Sequence, residues 1–217
     1  MKEIKFNNEI FILDISGIII WPKRKIAVVA DLHLEKASFL ASKGNFFPPY
    51  DSLETLLCLK SKLKQAEIKK VIFLGDIFHD NNGYERLRDK TKKIFDEIIT
   101  KYEIVFITGN HDRHISIPNI RVVEGYTTER ISFSHYPLKG KKIEIFGHFH
   151  PKFVIKTKRG HMSKKCFVID QDKILLPAFG KFTGGVDVSE KIFYKIFSHD
   201  CTYYLLGKKK ILEIKKN

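Results

Sequence analysis

The sequence predicts an α/β fold: a sandwich of two β-sheets with helices on the outside. Three observations lead there. Compact apolar runs alternate with helical periodicity through the first half; short strands separated by Gly, Pro and Lys fill the second; and no linker-like stretch divides them. With 217 residues, 43% of them hydrophobic, the chain suffices for one sizeable domain spanning residues 1–217, with a full core and no need of disulfides.

Ile10 to Leu13 and Gly17 to Trp21 read as short strands, and Lys25 to Ala30 (KIAVVA) as a buried strand that stops at Asp31. From Asp51 to Lys64 the residues Leu53, Leu56, Leu57, Leu59 and Leu63 follow helical spacing, with Asp51 or Ser52 as N-cap. A strand at Val71 to Asp76, a helix around Tyr84 to Thr100 and a strand at Glu103 to Asn110 complete a βαβαβ series, which predicts a mostly parallel sheet. The remaining strands are expected at Ile120 to Val123, Arg130 to Ser134, Lys142 to Phe146, Phe153 to Thr157, Lys165 to Asp170, Lys173 to Leu176, Ile192 to Phe197, Thr202 to Leu206 and Lys210 to Ile214. That half should be largely antiparallel.

Lys and Arg number 39 against 25 Asp and Glu, a net charge of +14 that favours polyanionic partners such as nucleic acid or acidic lipid. Cys58, Cys166 and Cys201 are too few and too scattered for a disulfide framework, which fits a reducing compartment. The first residues, MKEIKFNNEIFILD, lack the apolar core of a signal peptide, and no apolar run reaches membrane-spanning length. A cytoplasmic protein without a membrane partner is expected.

Four short motifs begin where a predicted strand ends: Asp31-Leu32-His33, Gly75-Asp76-Ile77-Phe78-His79, Gly109-Asn110-His111-Asp112 and Gly147-His148-Phe149-His150. A fifth element is His135, in SFSHYP. Loops leaving the carboxyl ends of strands converge on one edge of an α/β sheet, so these residues are expected to meet there. Carboxylate, imidazole and amide oxygen suit Mn, Fe, Zn or Co, and the lack of cysteine among them argues against a structural zinc site. Gly75, Gly109 and Gly147 would let the backbone approach the metals closely. His114, His161 and His199 lie outside every motif and are read as surface or structural. Trp21 and the aromatic residues of FLASKGNFFPPY are candidates for a groove, with plain packing as the alternative.

The five elements resemble the pattern of the calcineurin-like metallophosphoesterases: DxH, GDxx(D/H), GNH(D/E), a lone His and GHxH. The resemblance implies a four-layer αββα sandwich, two mixed β-sheets flanked by helices. It implies two divalent metal ions, Mn²⁺ foremost, one held by Asp31, His33, Asp76 and His150, the other by Asp76, Asn110, His135 and His148. Asp76 would bridge them, and a hydroxide shared by the two ions would attack phosphorus in line. His111 would assist the leaving oxygen, with Asp112 fixing its tautomer. His79, in a GDIFH form similar to the GDLFH of SbcD-type nucleases, would contact phosphate or a ligand.

The stretch DLHLEKASFLASKGNFFPPYDSLETL and the later LPAFGKFTGG are similar to those of the ligase-associated DNA damage response endonucleases (PdeM type). That resemblance implies a cytoplasmic nuclease or phosphodiesterase of DNA repair, working on DNA with low sequence specificity, beside a DNA ligase and a helicase in some genomes. Lys139, Lys141, Lys142, Lys152, Lys156, Lys158, Arg159, Lys164 and Lys165 would form a basic rim for phosphates. Two rivals are a phosphodiesterase for small cyclic nucleotides and a catalytically silent metal-binding scaffold.

Overall fold

A computed structural model describes residues 1–45, 50–140, 142–157, 160–198 and 200–215. The first sheet contains β1 (Lys2–Phe6), β2 (Glu9–Leu13), β3 (Ile19–Trp21), β4 (Ile26–Val29), β5 (Lys70–Leu74), β6 (Glu103–Ile107) and β7 (Val122–Val123), hydrogen-bonded in that order. Pairing is antiparallel from β1 to β4 and parallel from β4 to β7. Helices α1 (Lys36–Ser42) and α2 (Asp51–Gln65) connect β4 to β5, and α3 (Asp89–Lys101) connects β5 to β6.

The second sheet runs β15 (Ile211–Lys215), β14 (Thr202–Leu206), β12 (Gly160–Ile169), β13 (Lys173–Leu175), β10 (Glu144–Phe146), β9 (Ile131–Ser134), β8 (Gly125–Thr128), with β11 (Lys152–Thr157) paired to β12 as a hairpin. Five of its seven described pairings are antiparallel, as expected, and the sheet is mixed because β10 lies parallel to both β9 and β13. The helix α4 (Lys191–Ile196) lies on its outer side.

Side-chain alternation along the central strands builds three apolar layers. Val71 and Phe73 of β5 face Leu56, Leu59 and Leu63 of α2 and Phe95 and Ile98 of α3. Ile72 and Leu74 point the other way, into the layer shared with Phe133, Ile145, Phe167 and Ile174 of the second sheet. Phe146, Val168 and Leu175 then face Phe193 of α4. The result is an αββα stack in which β4 and β5 are buried on both faces, which is why they read as unbroken apolar runs.

Several boundaries depart from expectation. The strand expected at Ile192 to Phe197 is replaced by α4, because Phe193 and its C-cap Phe197, four residues apart, both pack on the core beside Phe149 and Phe146. Residues 120–123 contribute only β7, which extends the first sheet. The helix expected from Tyr84 begins at Asp89. Neither Asp51 nor Ser52 caps α2. Instead Asp51 accepts from the Ala37 N–H at 3.3 Å and Ser52 from the Glu35 N–H at 2.8 Å, pinning α2 to the chain just beyond His33. Trp21 is fully buried and donates to Glu9 at 3.1 Å, so it lines no groove. Residues 46–49 of the aromatic stretch lie outside the described residues, as does His199.

Candidate metal centre

The carboxyl ends of β4, β5 and β6 open along the edge where the two sheets meet, and the loops there carry Asp31, His33, Asp76 and Asn110. The second sheet adds His135 after β9, and His148 and His150 after β10. Backbone bonds lace the first set together: Asp31 N–H donates to the Gly75 carbonyl at 3.2 Å, and His33 N–H to that of Asp76 at 3.0 Å. Asp31, His33, Asp76, His148 and His150 all have positive φ, from 48° to 78°. Each such residue costs about 1–2 kcal/mol relative to ordinary backbone, a strain typical of functional sites.

Three groups of potential ligands form; two contain a carboxylate, Asp31 with His33 and His150 and Asp76 with His135 and His148, and a third joins His33 to His79 and His111. Each carboxylate is held by one oxygen and presents the other. Asp31 Oδ2 accepts from the His148 N–H at 3.0 Å, while Oδ1, fully buried, has no hydrogen bond and lies 3.4 Å from His150 Nε2. Asp76 Oδ1 accepts from the His111 N–H at 2.8 Å, while Oδ2 lies 3.4 Å from His135 Nε2 and 3.9 Å from His33 Nε2, between the two groups. Asn110 Oδ1 lies 3.2 Å from His135 Nε2.

Ring nitrogens also converge on one another: His33 Nε2 and His150 Nε2 at 3.2 Å, His135 Nε2 and His148 Nδ1 at 3.1 Å. Facing lone pairs, together with an orphaned carboxylate oxygen buried beside them, are satisfied by a cation. The donor set of oxygen and imidazole fits divalent metals of the Mn, Fe, Zn type.

Electrostatics lower His33 and His148, whereas at His135 burial is outweighed by Asp76 and Asp31 and the shift is upward. Burial, reinforced by His150 and opposed by Asp76, drives His33 down to about 2. Burial and the neighbouring His135 hold His148 at about 4. Burial pushes Asp76 up, but His135 and the His111 N–H prevail and keep it at about 2. The His135 Nδ1 lies 2.8 Å from the Leu74 carbonyl, which fixes a proton there and turns Nε2 toward Asp76, Asn110 and His148.

His111 stacks on His79, with ring centroids 4.7 Å apart, and its Nδ1 donates to the His79 carbonyl at 3.0 Å. The expected pairing of Asp112 with the His111 ring is therefore replaced. The Asp112 carboxylate is completely buried and accepts from four backbone N–H groups, those of Asp76 (3.3 Å), Ile77 (2.7 Å), Phe78 (3.2 Å) and Gly109 (2.7 Å). It knots the loops after β5 and β6 together. His79 also touches His33, Nδ1 to Nδ1 at 3.2 Å, and burial with His111 and Lys36 nearby holds it at about 4.

The sequence reading missed Tyr136, whose hydroxyl donates to Asn110 Oδ1 at 3.1 Å; its place beside the lone His135 was the one available signal. It also misread part of the basic rim. Lys165 is clamped between the carbonyls of Ala178 (2.8 Å) and Gly180 (2.5 Å), and burial lowers it to about 8. Lys152 donates to the Thr183 carbonyl at 3.3 Å. These bonds hold the LPAFG segment where Phe179 and Gly180 N–H groups meet the Ala30 and Asp31 carbonyls, so the segment braces the site from below. Lys139 and Lys142 are exposed and Lys164 half-buried; Lys141, Lys158, Arg159 and the Lys156 side chain lie outside the described residues. His114 and His161 are exposed and away from the cluster. A cleft of about 720 Å³, lined by Lys60, Lys92 and Tyr102 among others, shares no residue with the site.

The fold and the cluster together define a metal-dependent phosphoesterase. The sequence matches the calcineurin-like phosphoesterase family over residues 24–194, and the protein belongs to that family. A crystal structure of the nuclease MPE of Pseudomonas putida is similar at a TM-score of 0.76 and 32% identity, covering 97% of this chain and 99% of that one. None of the curated proteins compared with the chain matches it. No helix is long and apolar enough to cross a membrane among the described residues.

Proposed function

We propose that the protein is a two-metal phosphodiesterase that cleaves DNA. The observation that carries this reading is the paired arrangement of Asp31 and Asp76, each with one oxygen anchored by a backbone N–H and the other turned to histidine nitrogens. Asp31, His33, Asp76 and His150 would hold one cation, and Asp76, Asn110, His135 and His148 the other. A pair of divalent cations supplies charge to the phosphoryl oxygens and an activated nucleophile for in-line displacement.

The chain's own residues do the rest. The Leu74 carbonyl keeps the His135 proton on Nδ1, and the His79 carbonyl does the same for His111. With its Nδ1–H held by that carbonyl, His111 acts as the general acid in its doubly protonated form, giving the Nε2 proton to the departing oxygen. Asp112 sets the spacing between the Asp76 and Asn110 loops, and His79 orients both His33 and His111 through its Nδ1 and its carbonyl. DNA as substrate is supported by the likeness to a nuclease along nearly the whole chain. Manganese as the native metal, a cytoplasmic setting in repair, and a DNA ligase and helicase as co-workers rest on the resemblance of the DLHLEK and LPAFG segments.

The test is hydrolysis of bis(p-nitrophenyl) phosphate, a 2′,3′-cyclic nucleotide and single- and double-stranded DNA, with and without Mn²⁺. Wild type should cleave DNA only with metal, and His111→Ala should lose about 10²–10⁴-fold in kcat while binding Mn²⁺ normally by calorimetry. Turnover confined to the cyclic nucleotide would replace the nuclease reading with a small-diester one. No turnover with any metal would leave a metal-binding scaffold.

A further inference from the structure

We propose that a nucleic-acid strand crosses the metal centre between two nucleotide subsites, Lys36 with Phe182 on one side and Arg113 with Tyr136 on the other. The inference rests on the nuclease reading and adds the groups that hold the strand on either side of the cleaved bond.

The first subsite is a cleft of about 400 Å³ between α1 and the loop after Gly180, lined by Lys36, Phe182 and Thr183 among others. Lys36 shares a closed crevice, too narrow for water, with His33 three residues before it, and its charge is felt by His79. Its ammonium has no ion pair or hydrogen bond among the described residues, although burial, with Lys152 adding and Asp51 opposing, already lowers its pKa. The neighbouring Lys181, by contrast, is neutralised by Glu54. An unpaired, half-buried cation beside a phosphate-handling site is a ready anion partner. Phe182 is 47% exposed, a large apolar ring left in water next to that cation.

The second cleft, about 360 Å³, borders the opposite group: Asn110, His135, Arg113 and Tyr136 line it. Arg113 follows Asn110 by three residues, as Lys36 follows His33, and it too lacks an ion pair among the described residues. Tyr136 is 45% exposed, its hydroxyl tied to Asn110. Each side therefore offers one free cation for a phosphate and one exposed ring for a base, the combination that single strands use. Glu124 borders this second cleft, so its hold on phosphate is the weaker of the two. A diester without neighbouring nucleotides has no use for either side.

The experiment compares kcat/KM for a twelve-nucleotide single strand with that for bis(p-nitrophenyl) phosphate in wild type, Lys36→Gln, Phe182→Ala and Arg113→Gln, all with Mn²⁺. Anisotropy of the labelled strand in EDTA gives binding without turnover. The ratio of strand to small-diester turnover should fall about tenfold in Lys36→Gln and several-fold in the other two. The slope of log affinity against log salt should shrink by about 0.7 for each lost cation. Equal losses on both substrates, or an unchanged ratio and slope, would overturn the subsites while leaving the nuclease reading intact. Wild type that cleaves only the small diester would overturn both.

Discussion

Replacing Asp112 by Asn keeps the shape of the side chain and removes half of what it does. Oδ1 serves the N–H groups of Asp76 and Gly109, and Oδ2 those of Ile77 and Phe78. The amide retains one oxygen, so two donors keep an acceptor and two face an NH₂ group instead. Each buried N–H left unpaired costs about 1–3 kcal/mol, giving a loss of roughly 2–6 kcal/mol. Against a total of about 5–15 kcal/mol for an ordinary domain, that is a large shift. Urea unfolding of the metal-free protein, followed through the fluorescence of the buried Trp21, reads it directly as a lower midpoint with an unchanged slope. An unchanged midpoint together with lost phosphodiesterase activity would refute this account, because that pattern belongs to an Asp112 that acts only through the His111 ring.

Acid should weaken the metal-free protein early. His33 is held near 2 in the fold and takes its proton near 6.5 when unfolded, so between those values the unfolded chain binds one more proton. Stability is then full above about pH 6.5 and falls below it by about 1.4 kcal/mol per pH unit for this ring alone. His79 and His148, held at about 4, act in the same direction, whereas His135, raised in the fold, is protonated in both states over that range. Calorimetric melting in EDTA at pH 6.5 and 5.0 checks this, and a flat Tm would contradict it. Gly109→Ala would place a Cβ 2.1 Å from Asp76 Oδ1, forcing apart the loops that carry Asp76 and Asn110. Mn²⁺ affinity should drop at least about tenfold by titration calorimetry; normal affinity would mean the loops separate without disturbing the site.

That these residues would meet at one edge was legible because each motif is local and sits where a buried apolar run ends. KIAVVA before Asp31 and VIFL before Gly75 mark those strand ends in the sequence itself. What escaped depends on contacts between distant segments. Asp112 looks like a partner of the adjacent His111 until the fold brings the loop of residues 76–78 over its carboxylate. Lys165 looks like rim charge until the carbonyls of residues 178 and 180 close on it. The helix α4 was hidden by its β-branched and aromatic composition, although the four-residue step from Phe193 to Phe197 was there to be read. The strand β1 was missed despite its plain alternation, with Ile4 and Phe6 buried between exposed residues.

The cluster draws Asp31, His33, Asp76 and Asn110 from one sheet and His135, His148 and His150 from the other. It cannot exist on a half-made chain: no nascent polypeptide ending before residue 135 owns more than part of it. On the proposed ligand set, capture of both ions is coupled to docking of the two sheets, and a partly folded chain lacks the complete site. Saturating metal pulls the assembled form away from such intermediates by about 2.7 kcal/mol at a hundredfold excess over Kd. On that ligand set the centre would double as an inspector of its own assembly, with phosphoesterase chemistry withheld until both sheets are in place.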